Sequence, residues 1–429
     1  MQTKRILLPY GNNKNIEVEI PCDNLIGAFS SKDIPNAVIA DNLIEFALEH
    51  PIGSASLRDL AASAKNILLV VDDNTRRTPV HQILPVLTKI LNQAGVSDNH
   101  IRILFAAGTH REMSIEEQTQ KIGKEAITRF ECTGHDYLGE CISLGHTKYG
   151  TPVEVNPLLK WSDLTIAIGS IIPHAYCGWG GGGKMILPGV SSAKSILATH
   201  MLPFQNPEIG IGVLNNQART EIDEASQMAK LRFIVNTILN SKGEIVDIVA
   251  GSVIPAHREG IKKATAIHGV NIPEKADLVF GCSYPEFSCY WQANKAFHPM
   301  EKTVLKGGLA VMVASMPEGR GEHPSCFDAM GENVGKLIQH LNEIKDKDMD
   351  EALAIACALA DRKLQNKARV GIVSDGLAAA DTANGVFIRY KDPNDAVVQI
   401  LREKRNARIL CLINASEMLP IFSEEAALL

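Results

Sequence analysis

The chain has 429 residues, of which 45% are hydrophobic and 21% are charged, as is typical of a soluble globular enzyme. This length predicts two or three domains, each able to bury a full core. The formal net charge of −6 and the aromatic content of 5% argue against a surface for nucleic acid or anionic membrane.

The N-terminal residues lack the apolar run of a secretory signal peptide. No apolar run along the chain reaches about 18 residues, the length that a membrane-spanning helix needs. The 9 cysteines are scattered singly and form no CxxC pair, so neither a zinc ribbon nor a redox dithiol is supported. Such an unpatterned set is typical of reduced thiols. We therefore expect a cytoplasmic protein without a membrane or nucleic-acid partner.

Strand and helix signals alternate in the first half of the chain, which predicts a parallel sheet covered by helices on both faces. Buried strands are predicted over residues 66–71, 101–107 and 164–171. Ligands of such sheets bind beyond the carboxyl ends of the strands. Since Asp73, His110 and His174 each follow one of these strands, we expect them to converge in one cleft.

Capping signals predict where the intervening helices begin and end. A helix is predicted over residues 80–94, with Thr78 as its N-cap, Pro79 in its first turn and Gly95 directly after it. Ser114 and Glu117 have the spacing of a capping box at the start of a second helix.

A change of pattern near residue 270 predicts a second αβ domain. Residues 255–269 are predicted to form a helix that ends in glycine, and residues 271–277 a linker. Further strands are predicted over 276–282, 308–315, 369–374 and 408–412, and helices over 333–345, 350–361 and 395–404. We therefore predict an α/β fold of two αβ domains, residues 1–270 and 271–429, with largely parallel sheets and an active site in the interdomain cleft.

The densest group of candidate functional residues lies in one loop. Four consecutive glycines, Gly180 to Gly183, are followed directly by Lys184, and His174 and His200 flank them. Glycine lets the backbone approach a ligand closely, and an imidazole can bind a metal or move a proton. Ser191 or Ser192 is expected to cap the helix that carries His200.

Three interpretations of this loop compete. Gly178 to Lys184 match most of a phosphate-binding P-loop, but Met185 stands where that loop needs Ser or Thr to hold magnesium. The segment is alternatively a surface turn with incidental histidines, or an active-site loop that holds a cofactor. The last is favoured because lysine and two histidines gather around one glycine run.

Five segments in chain order resemble the nickel-dependent lactate racemase family. They are Asp73–Pro79 (DNTRRTP), Gly108–Arg111 (GTHR), Pro173–Lys184 with Leu187–Gly189 and His200, Gln292 with Lys295, and Pro317–His323 (PEGRGEH). Members of that family hold a nickel-pincer nucleotide, a pyridinium mononucleotide that binds nickel through two sulfur arms and a ring carbon.

The resemblance implies a role for each matching residue. Lys184 would bind the cofactor covalently, and His200 would be the remaining nickel ligand. The other implied cofactor contacts are Asp73, Thr75, Thr78, Gly181, Gly182 and Gly183. His110 and His174 would be the acid/base pair on the two faces of the substrate. The substrate carboxylate would be held by Arg76, Gln292 and Lys295.

The chemistry of the residues agrees with that assignment. Inverting a stereocentre requires an acid/base group on each face of the carbon, and imidazole titrates near neutral pH. The implied reaction is racemisation or epimerisation of a 2-hydroxy acid by reversible hydride transfer from C2, through a planar 2-keto acid. The cofactor-building enzymes are then expected partners. A non-catalytic nickel- or nucleotide-binding protein and an ATP-dependent enzyme are the alternatives.

Two departures from the family pattern concern the substrate. Lactate-type relatives often carry Ser and Arg within the glycine run, whereas here every position is glycine. The residue before Pro173 is often Glu, and here it is Ile172. Lactate, another short acid, a malate-like acid and a longer sugar acid therefore all stay open.

Overall fold

The computed structural model describes residues 2–11, 13–34, 40–381 and 385–423. Its contacts divide the chain into two units. The N-terminal unit comprises Asp33–Leu202 and Gly212–Ile267, and the C-terminal unit comprises Met1–Lys32, Pro203–Ile211 and His268–Leu429. The sequence assigns residues 1–32 to the N-terminal domain, but β3 (Leu25–Phe29) pairs in parallel with β19 (Ile409–Leu412), which joins this segment to the C-terminal unit.

The N-terminal unit is built on a six-stranded sheet. Its strands are β4 (Ile67–Asp72), β5 (Ile101–Ala106), β6 (Glu131–Gly134), β9 (Leu164–Ser170), β12 (Leu231–Leu239) and β13 (Ile245–Gly251). They lie in the order β13-β12-β9-β4-β5-β6, and every neighbouring pair is parallel except β12 with β13. Every residue of β4 and β9 is buried, as expected of central strands in a sheet covered on both faces. The predicted α/β class is confirmed.

Helices and two hairpins complete the N-terminal unit. The helices are α1 (Ala40–Glu49), α2 (Leu57–Ala62), α3 (Val80–Gln93), α4 (Ile115–Ile122), α5 (Lys124–Arg129), α6 (Leu158–Trp161), α7 (Ala193–His200), α9 (Gln217–Met228) and α10 (Val253–His268). The hairpins are β7 (Ile142–His146) with β8 (Pro152–Val155), and β10 (Pro173–His174) with β11 (Gly178–Trp179). The short helix α8 (Leu202–Gln205) lies where the chain passes to the other unit.

Two of the predicted caps are present and one is wrong. The Ser114–Glu117 capping box at α4 is confirmed, and Ser192 caps α7 by accepting from the backbone N–H of Ser195. The N-cap of α3 is Pro79 and not Thr78. The Thr78 hydroxyl binds Asp72 and Ser170 in the interior, so it does not cap the helix.

The C-terminal unit contains a second six-stranded sheet. Besides β3 and β19, the strands of this unit are β1 (Thr3–Gly11), β2 (Lys14–Pro21), β14 (Gly269–Asn271), β15 (Ala276–Cys282), β16 (Val304–Val313), β17 (Arg369–Val373), β18 (Ile388–Tyr390) and β20 (Leu419–Ile421). The sheet runs β18-β17-β16-β15-β19-β3 with every pair parallel, while β1 with β2 and β14 with β20 form separate pairs. The helix predicted over residues 255–269 is present as α10, which ends at His268, and Gly269 directly after it begins β14.

The helices of the C-terminal unit are α11 (Tyr290–Ala293), α12 (Phe297–Thr303), α13 (Pro324–Ala329), α14 (Val334–Ile344), α15 (Met349–Asp361) and α16 (Pro393–Glu403). Three of them, α14 to α16, match the predicted ones, whereas α11 to α13 were not predicted. Across the described ranges of both units, every helix is too short or too polar to cross a bilayer.

In each sheet, successive strands of the chain lie first on one side of a starting strand and then on its other side. In the N-terminal unit β5 and β6 lie on one side of β4, and β9 and β12 lie on the other. In the C-terminal unit β16 to β18 lie on one side of β15, and β19 lies on the other. In open α/β sheets ligands bind beyond the carboxyl ends of the strands at such a change of side. The loops after β4 and β9, and the loop after β15, are therefore the places to look for a site.

Candidate active site

The predicted site residues of the N-terminal unit follow three adjacent strands. Asp73, Thr75, Arg76 and Thr78 follow β4, His110 follows β5, and His174 and Lys184 follow β9. Because these strands are parallel neighbours, their carboxyl ends lie at the same edge of the sheet. The topology therefore places the three loops together, as the sequence predicts.

Asp73 and His110 form a buried carboxylate–imidazole pair. Nδ1 of His110 lies 2.6 Å from Oδ2 of Asp73, whose residue is 2% exposed. Oδ1 of the same carboxylate accepts the Thr75 hydroxyl at 2.6 Å. A carboxylate only accepts, so the proton of His110 lies on Nδ1 and the neutral ring has its lone pair on Nε2. The His110 ring is thus held by a carboxylate in the same way as the histidine of a catalytic triad.

The charge of Asp73 is fixed by its neighbours. Burial alone would raise its pKa, but the charge and hydrogen bond of His110, the Arg76 guanidinium and the Thr75 hydroxyl hold the pKa well below its usual value. Asp73 is therefore ionised whenever the protein is folded at ordinary pH, and it can stabilise a protonated His110.

The backbone carbonyl of Arg76 is bound by a lysine that the sequence did not single out. Lys121, 7% exposed at the end of α4, donates to the Arg76 carbonyl at 2.8 Å and pairs with Asp72 at 2.6 Å. Arg76 itself donates to the carbonyl and hydroxyl of Thr75. Burial raises the pKa of Asp72, although the nearby Lys121 opposes the shift. No local spacing connects Lys121 to the loop after β4, so only the packing of α4 shows it.

Thr78 lies deeper than the other residues of its loop. It is 3% exposed, and its hydroxyl contacts Asp72 and, at 2.6 Å, the Ser170 hydroxyl. Ser170 in turn lies 2.7 Å from the hydroxyl of Thr237. This chain of hydroxyls ties β4, β9 and β12 together beneath the loops. The predicted contact of Thr78 with a cofactor stays a prediction.

His174 and His200 both lie beside Tyr176. The Tyr176 ring makes edge contacts with both imidazoles, at centroid distances of 5.9 Å to His174 and 5.2 Å to His200. Nδ1 of His200 lies 3.0 Å from the Ile196 carbonyl, one turn earlier in α7. A carbonyl only accepts, so the neutral His200 ring has its lone pair on Nε2. Metal-binding histidines commonly donate their second N–H to a carbonyl in this way.

The glycine run is packed tightly against the protein itself. A Cβ at Gly182 would lie 2.8 Å from Cγ of His257, and a Cβ at Gly183 would lie 2.9 Å from the Ile222 carbonyl oxygen. A Cβ at Gly181 would lie 2.9 Å from the Asn236 side-chain oxygen. Close approach of α9, α10 and β12 thus requires glycine at these three positions. Their predicted contact with a cofactor stays a prediction.

The conformation after the glycines differs from a P-loop. Gly182 to Met185 form a 3-10 turn that contains the half-buried Lys184, and the next helix, α7, begins only at Ala193. A P-loop leads directly into the helix whose N-terminus binds phosphate. Met185 is 6% exposed and packs in the interior. The ATP-dependent alternative therefore loses its structural support.

Gly182→Ala is expected to lower the free energy of unfolding by about 2–5 kcal/mol. Its φ of +59° is left-handed, which costs an L-residue about 1–2 kcal/mol, and the added methyl overpacks His257 at about 1–3 kcal/mol. Gly95→Ala is the matched control, because Gly95 has a φ of +97° and open space around its Cβ position. Urea denaturation of both variants measures the difference. Equal losses would contradict the role of packing.

His257 supports the glycine run from α10. Its Nε2 lies 2.7 Å from the Gly180 carbonyl and its Nδ1 lies 2.8 Å from the Arg258 guanidinium. The carbonyl accepts and the guanidinium donates, so the ring is neutral with its proton on Nε2. Burial and the nearby Arg219 hold its pKa well below the ordinary value of 6.5. This role was not predictable from the sequence, in which His257 is one histidine within a predicted helix.

The neutral state of His257 makes stability depend on pH. Below the ordinary histidine pKa the unfolded chain binds a proton that the folded chain does not, so this contribution is lost as pH falls from about 7 toward 5. His257→Gln should reduce the slope of unfolding free energy against pH by up to about 1.4 kcal/mol per pH unit, the value for one proton. Urea denaturation across that range measures the slope. The exposed His81→Gln should leave it unchanged, and an unchanged slope in His257→Gln would contradict the assignment.

In the C-terminal unit, Gln292 and Lys295 come together after β15. The Lys295 ammonium donates to the Gln292 side-chain oxygen and lies 3.0 Å from a carboxylate oxygen of Glu286. Gln292 is 2% exposed, and within the described residues its Nε2 has no hydrogen-bond partner. A buried amide donor beside an ammonium is suited to a carboxylate ligand. Glu286, which the sequence did not single out, holds Lys295 in place.

The last segment of the resemblance packs beside the same helix. The backbone of Tyr290 donates to the Gly319 carbonyl, and that of Trp291 donates to the Arg320 carbonyl. His323 is buried, lies against the Trp291 ring and contacts Asp350 at 2.9 Å. Pro317 to His323 therefore brace the short helix that carries Gln292.

The chain offers no conventional metal site of its own among the residues described. No group of three His, Cys, Asp or Glu side chains converges in a way that would hold an ion. A metal at His200 would need most of its ligands from another molecule. The implied cofactor supplies such ligands, so the single histidine fits it.

Comparison with known proteins points to one family. Residues 10–212 match the lactate racemase N-terminal domain family. The lactate racemase of Thermoanaerobacterium thermosaccharolyticum is 33% identical over 324 residues, which cover 74% of this chain and 75% of that protein. The lactate racemase of Lactiplantibacillus plantarum is 31% identical over 325 residues, which cover 73% and 75%.

Solved structures agree with the sequence relatives. The lactate racemase apoprotein from Thermoanaerobacterium thermosaccharolyticum superposes with a TM-score of 0.85 at 27% identity, covering 97% of this chain and 100% of that one. A Thermotoga maritima protein superposes with a TM-score of 0.69 at 19% identity, covering 90% and 99%, and shows the shared fold.

Proposed function

Because the chain belongs to the lactate racemase family, we propose that it inverts C2 of a 2-hydroxy acid by reversible hydride transfer to a nickel-pincer nucleotide bound at Lys184. Family membership makes the chain an isomerase, a racemase by class. The observation that carries the finer proposal is the orientation of His110 by the ionised Asp73, at the carboxyl end of β5.

The residues around the glycine run fit such a cofactor. Lys184 supplies an amine at the end of a turn whose backbone is fixed by α9 and α10. His200 has its lone pair on Nε2, the arrangement expected of a metal ligand. Asp73 and Thr75 lie at the neighbouring strand end. When bound, the cofactor supplies the hydride acceptor, and the protein supplies orientation and proton transfer.

The chain's own residues would perform the proton transfers. His110 accepts the hydroxyl proton at Nε2 while the C2 hydride leaves, and Asp73 stabilises the imidazolium that forms. General acid–base catalysis of this kind contributes about 10²–10⁴-fold. His174 serves the opposite face, so that the oxygen of the planar keto acid can be protonated there after hydride returns. Arg76 in the N-terminal unit, and Gln292 with Lys295 in the C-terminal unit, are the groups proposed to bind the substrate carboxylate.

A panel of single-enantiomer 2-hydroxy acids tests the function. The protein is produced together with the cofactor-building enzymes, and optical rotation is followed for short acids, a malate-like acid and a sugar acid. Decay of rotation to zero, or appearance of the C2 epimer, is the expected result for at least one acid. Loaded protein that binds nickel but changes no acid would favour a nickel- or nucleotide-binding protein instead.

His200→Ala is expected to separate metal binding from covalent attachment. The variant should keep the mass adduct at Lys184, because attachment needs only the amine, but should lose most of its nickel. Intact mass together with metal analysis measures both quantities. His174→Ala is the control and should keep adduct and nickel while losing turnover. Full nickel content in His200→Ala would contradict its role as a ligand.

A further inference from the structure

Cys177 lies between His174 and a fully buried arginine. Its Sγ is 3.5 Å from Nδ1 of His174 and 3.4 Å from the Arg219 guanidinium. Cys177 and Arg219 are each 1% exposed. In this position the imidazole can accept the thiol proton, and the guanidinium can stabilise a negative charge on the sulfur.

Arg219 makes this environment cationic. It donates to the carbonyls of Cys177 and Trp179, and it lies 3.6 Å from Asp223. Asp223 also pairs with Arg258, so the cluster of Arg219, Asp223 and Arg258 holds two cations and one anion. An anion that formed on the Cys177 sulfur would therefore be stabilised.

The two catalytic histidines differ in what orients them. Nδ1 of His110 faces the anionic Asp73, whereas Nδ1 of His174 accepts the backbone N–H of Tyr176 at 3.2 Å. The neutral His174 ring therefore carries its proton on Nε2. Such a ring can donate that proton only if Nδ1 gains one in the same step, because an imidazolate would otherwise form.

The geometry points to Cys177 as the proton relay of His174, with Arg219 holding the thiolate, and this inference rests on the proposed function. The S–H bond breaks as the Nδ1–H bond forms, and the Nε2–H bond breaks as the substrate O–H bond forms. The negative charge stays on Sγ, facing Arg219. Cys177 is thus a positioning and relay residue that acts through His174.

The proton count of this relay is conserved in both directions of the reaction. Conversion of one enantiomer leaves the substrate's original proton on His110 and a thiolate at Cys177. In that state His174 has its proton on Nδ1 and its lone pair on Nε2, so it can deprotonate the other enantiomer. The reverse conversion then returns protons to Cys177 and the substrate oxygen. Cys177 and Arg219 thus serve His174 in the way that Asp73 serves His110.

Cys177→Ser tests the relay directly in the loaded enzyme. Serine keeps the size and the hydrogen bonds but does not release its proton, so kcat per loaded site should fall by about 10²-fold. KM should stay within about twofold, because general acid–base catalysis and not substrate binding is lost. Cys177→Ala should be as slow as Cys177→Ser. Cys132→Ser, at a half-buried cysteine elsewhere in the N-terminal unit, is the control and should match wild type.

A merely structural Cys177 predicts a different pattern. Serine would then restore the activity that alanine loses, or both variants would raise KM at unchanged kcat, and either result would overturn the relay. Loaded wild type that racemises no acid would overturn the proposed function and the relay with it. Racemisation by wild type and by Cys177→Ser at equal kcat would overturn the relay alone.

Nitrogen NMR of histidine-labelled protein provides a readout that needs no cofactor. His174→Gln identifies the His174 signals by their disappearance. At a pH where the ring is neutral, the wild-type signals should show the proton on Nε2. A neutral ring protonated on Nδ1 would need no relay to act as a base and would overturn the inference.

Discussion

Asp73→Asn is expected to lower kcat by about 10⁴-fold while the protein stays folded. The asparagine amide has nearly the same shape, but it cannot stabilise an imidazolium, and it can present an N–H to His110 and favour the wrong tautomer. The same change in a serine-protease triad has an effect of about this size. Steady-state racemisation, normalised to the loaded fraction from intact mass, measures it.

Substrate binding should change little in this variant. Asp73 contacts His110 and Thr75, so KM is expected to stay within a few-fold of wild type. Asp98→Asn is a suitable control, because Asp98 pairs with Arg129 at a distance from the loops after β4, β5 and β9. A kcat within tenfold of wild type in Asp73→Asn would contradict the proposed role of the Asp73–His110 pair.

Lys184→Arg is expected to abolish both cofactor attachment and racemisation. Arginine keeps the positive charge, but its guanidinium does not form the amide-like bond that joins an amine to the cofactor. Intact mass of protein produced with the cofactor-building enzymes should equal that of the bare chain. Optical rotation of a substrate should then stay constant over a time in which wild type racemises it completely.

Lys194→Arg is the matched control for attachment. Its side chain is 60% exposed in α7, within the same stretch of sequence, and it should keep a full mass adduct. An adduct of unchanged mass in Lys184→Arg would show that another residue carries the cofactor. The role proposed for the glycine turn would then be wrong.

Much of the fold follows from local sequence signals. Runs of branched side chains predict β4, β5, β9 and β15 to within one or two residues, because buried strands of a parallel sheet must be apolar on both faces. The assignment of residues 1–32 fails, because β3 joins the sheet beside β19, where Leu25 pairs with Ile409. Pairing over such a separation leaves no local pattern in the sequence.

The candidate site divides in the same way. The positions of Asp73, His110 and His174 close after neighbouring strands were predictable from the strand patterns, whereas their functional roles and that of Lys184 stay predictions. Lys121, Arg219 and His257 were not predictable, since each reaches the loops of the N-terminal unit through packing, and neither was Glu286, which contacts Lys295 in the C-terminal unit. The glycine run shows both aspects. Its motif was visible in sequence, but its tight contacts with α9, α10 and β12 appear only in the fold.

The fate of a deuterium label at C2 tests hydride transfer most directly. The loaded enzyme is given a single enantiomer of an accepted 2-hydroxy acid, deuterated at C2, in ordinary water. If C2 gives up a hydride that returns to the opposite face, the product of inverted configuration should retain its deuterium, as mass spectrometry after chiral separation can show. Replacement of the deuterium by hydrogen from solvent would mean that C2 loses a proton instead, and would contradict the proposed mechanism.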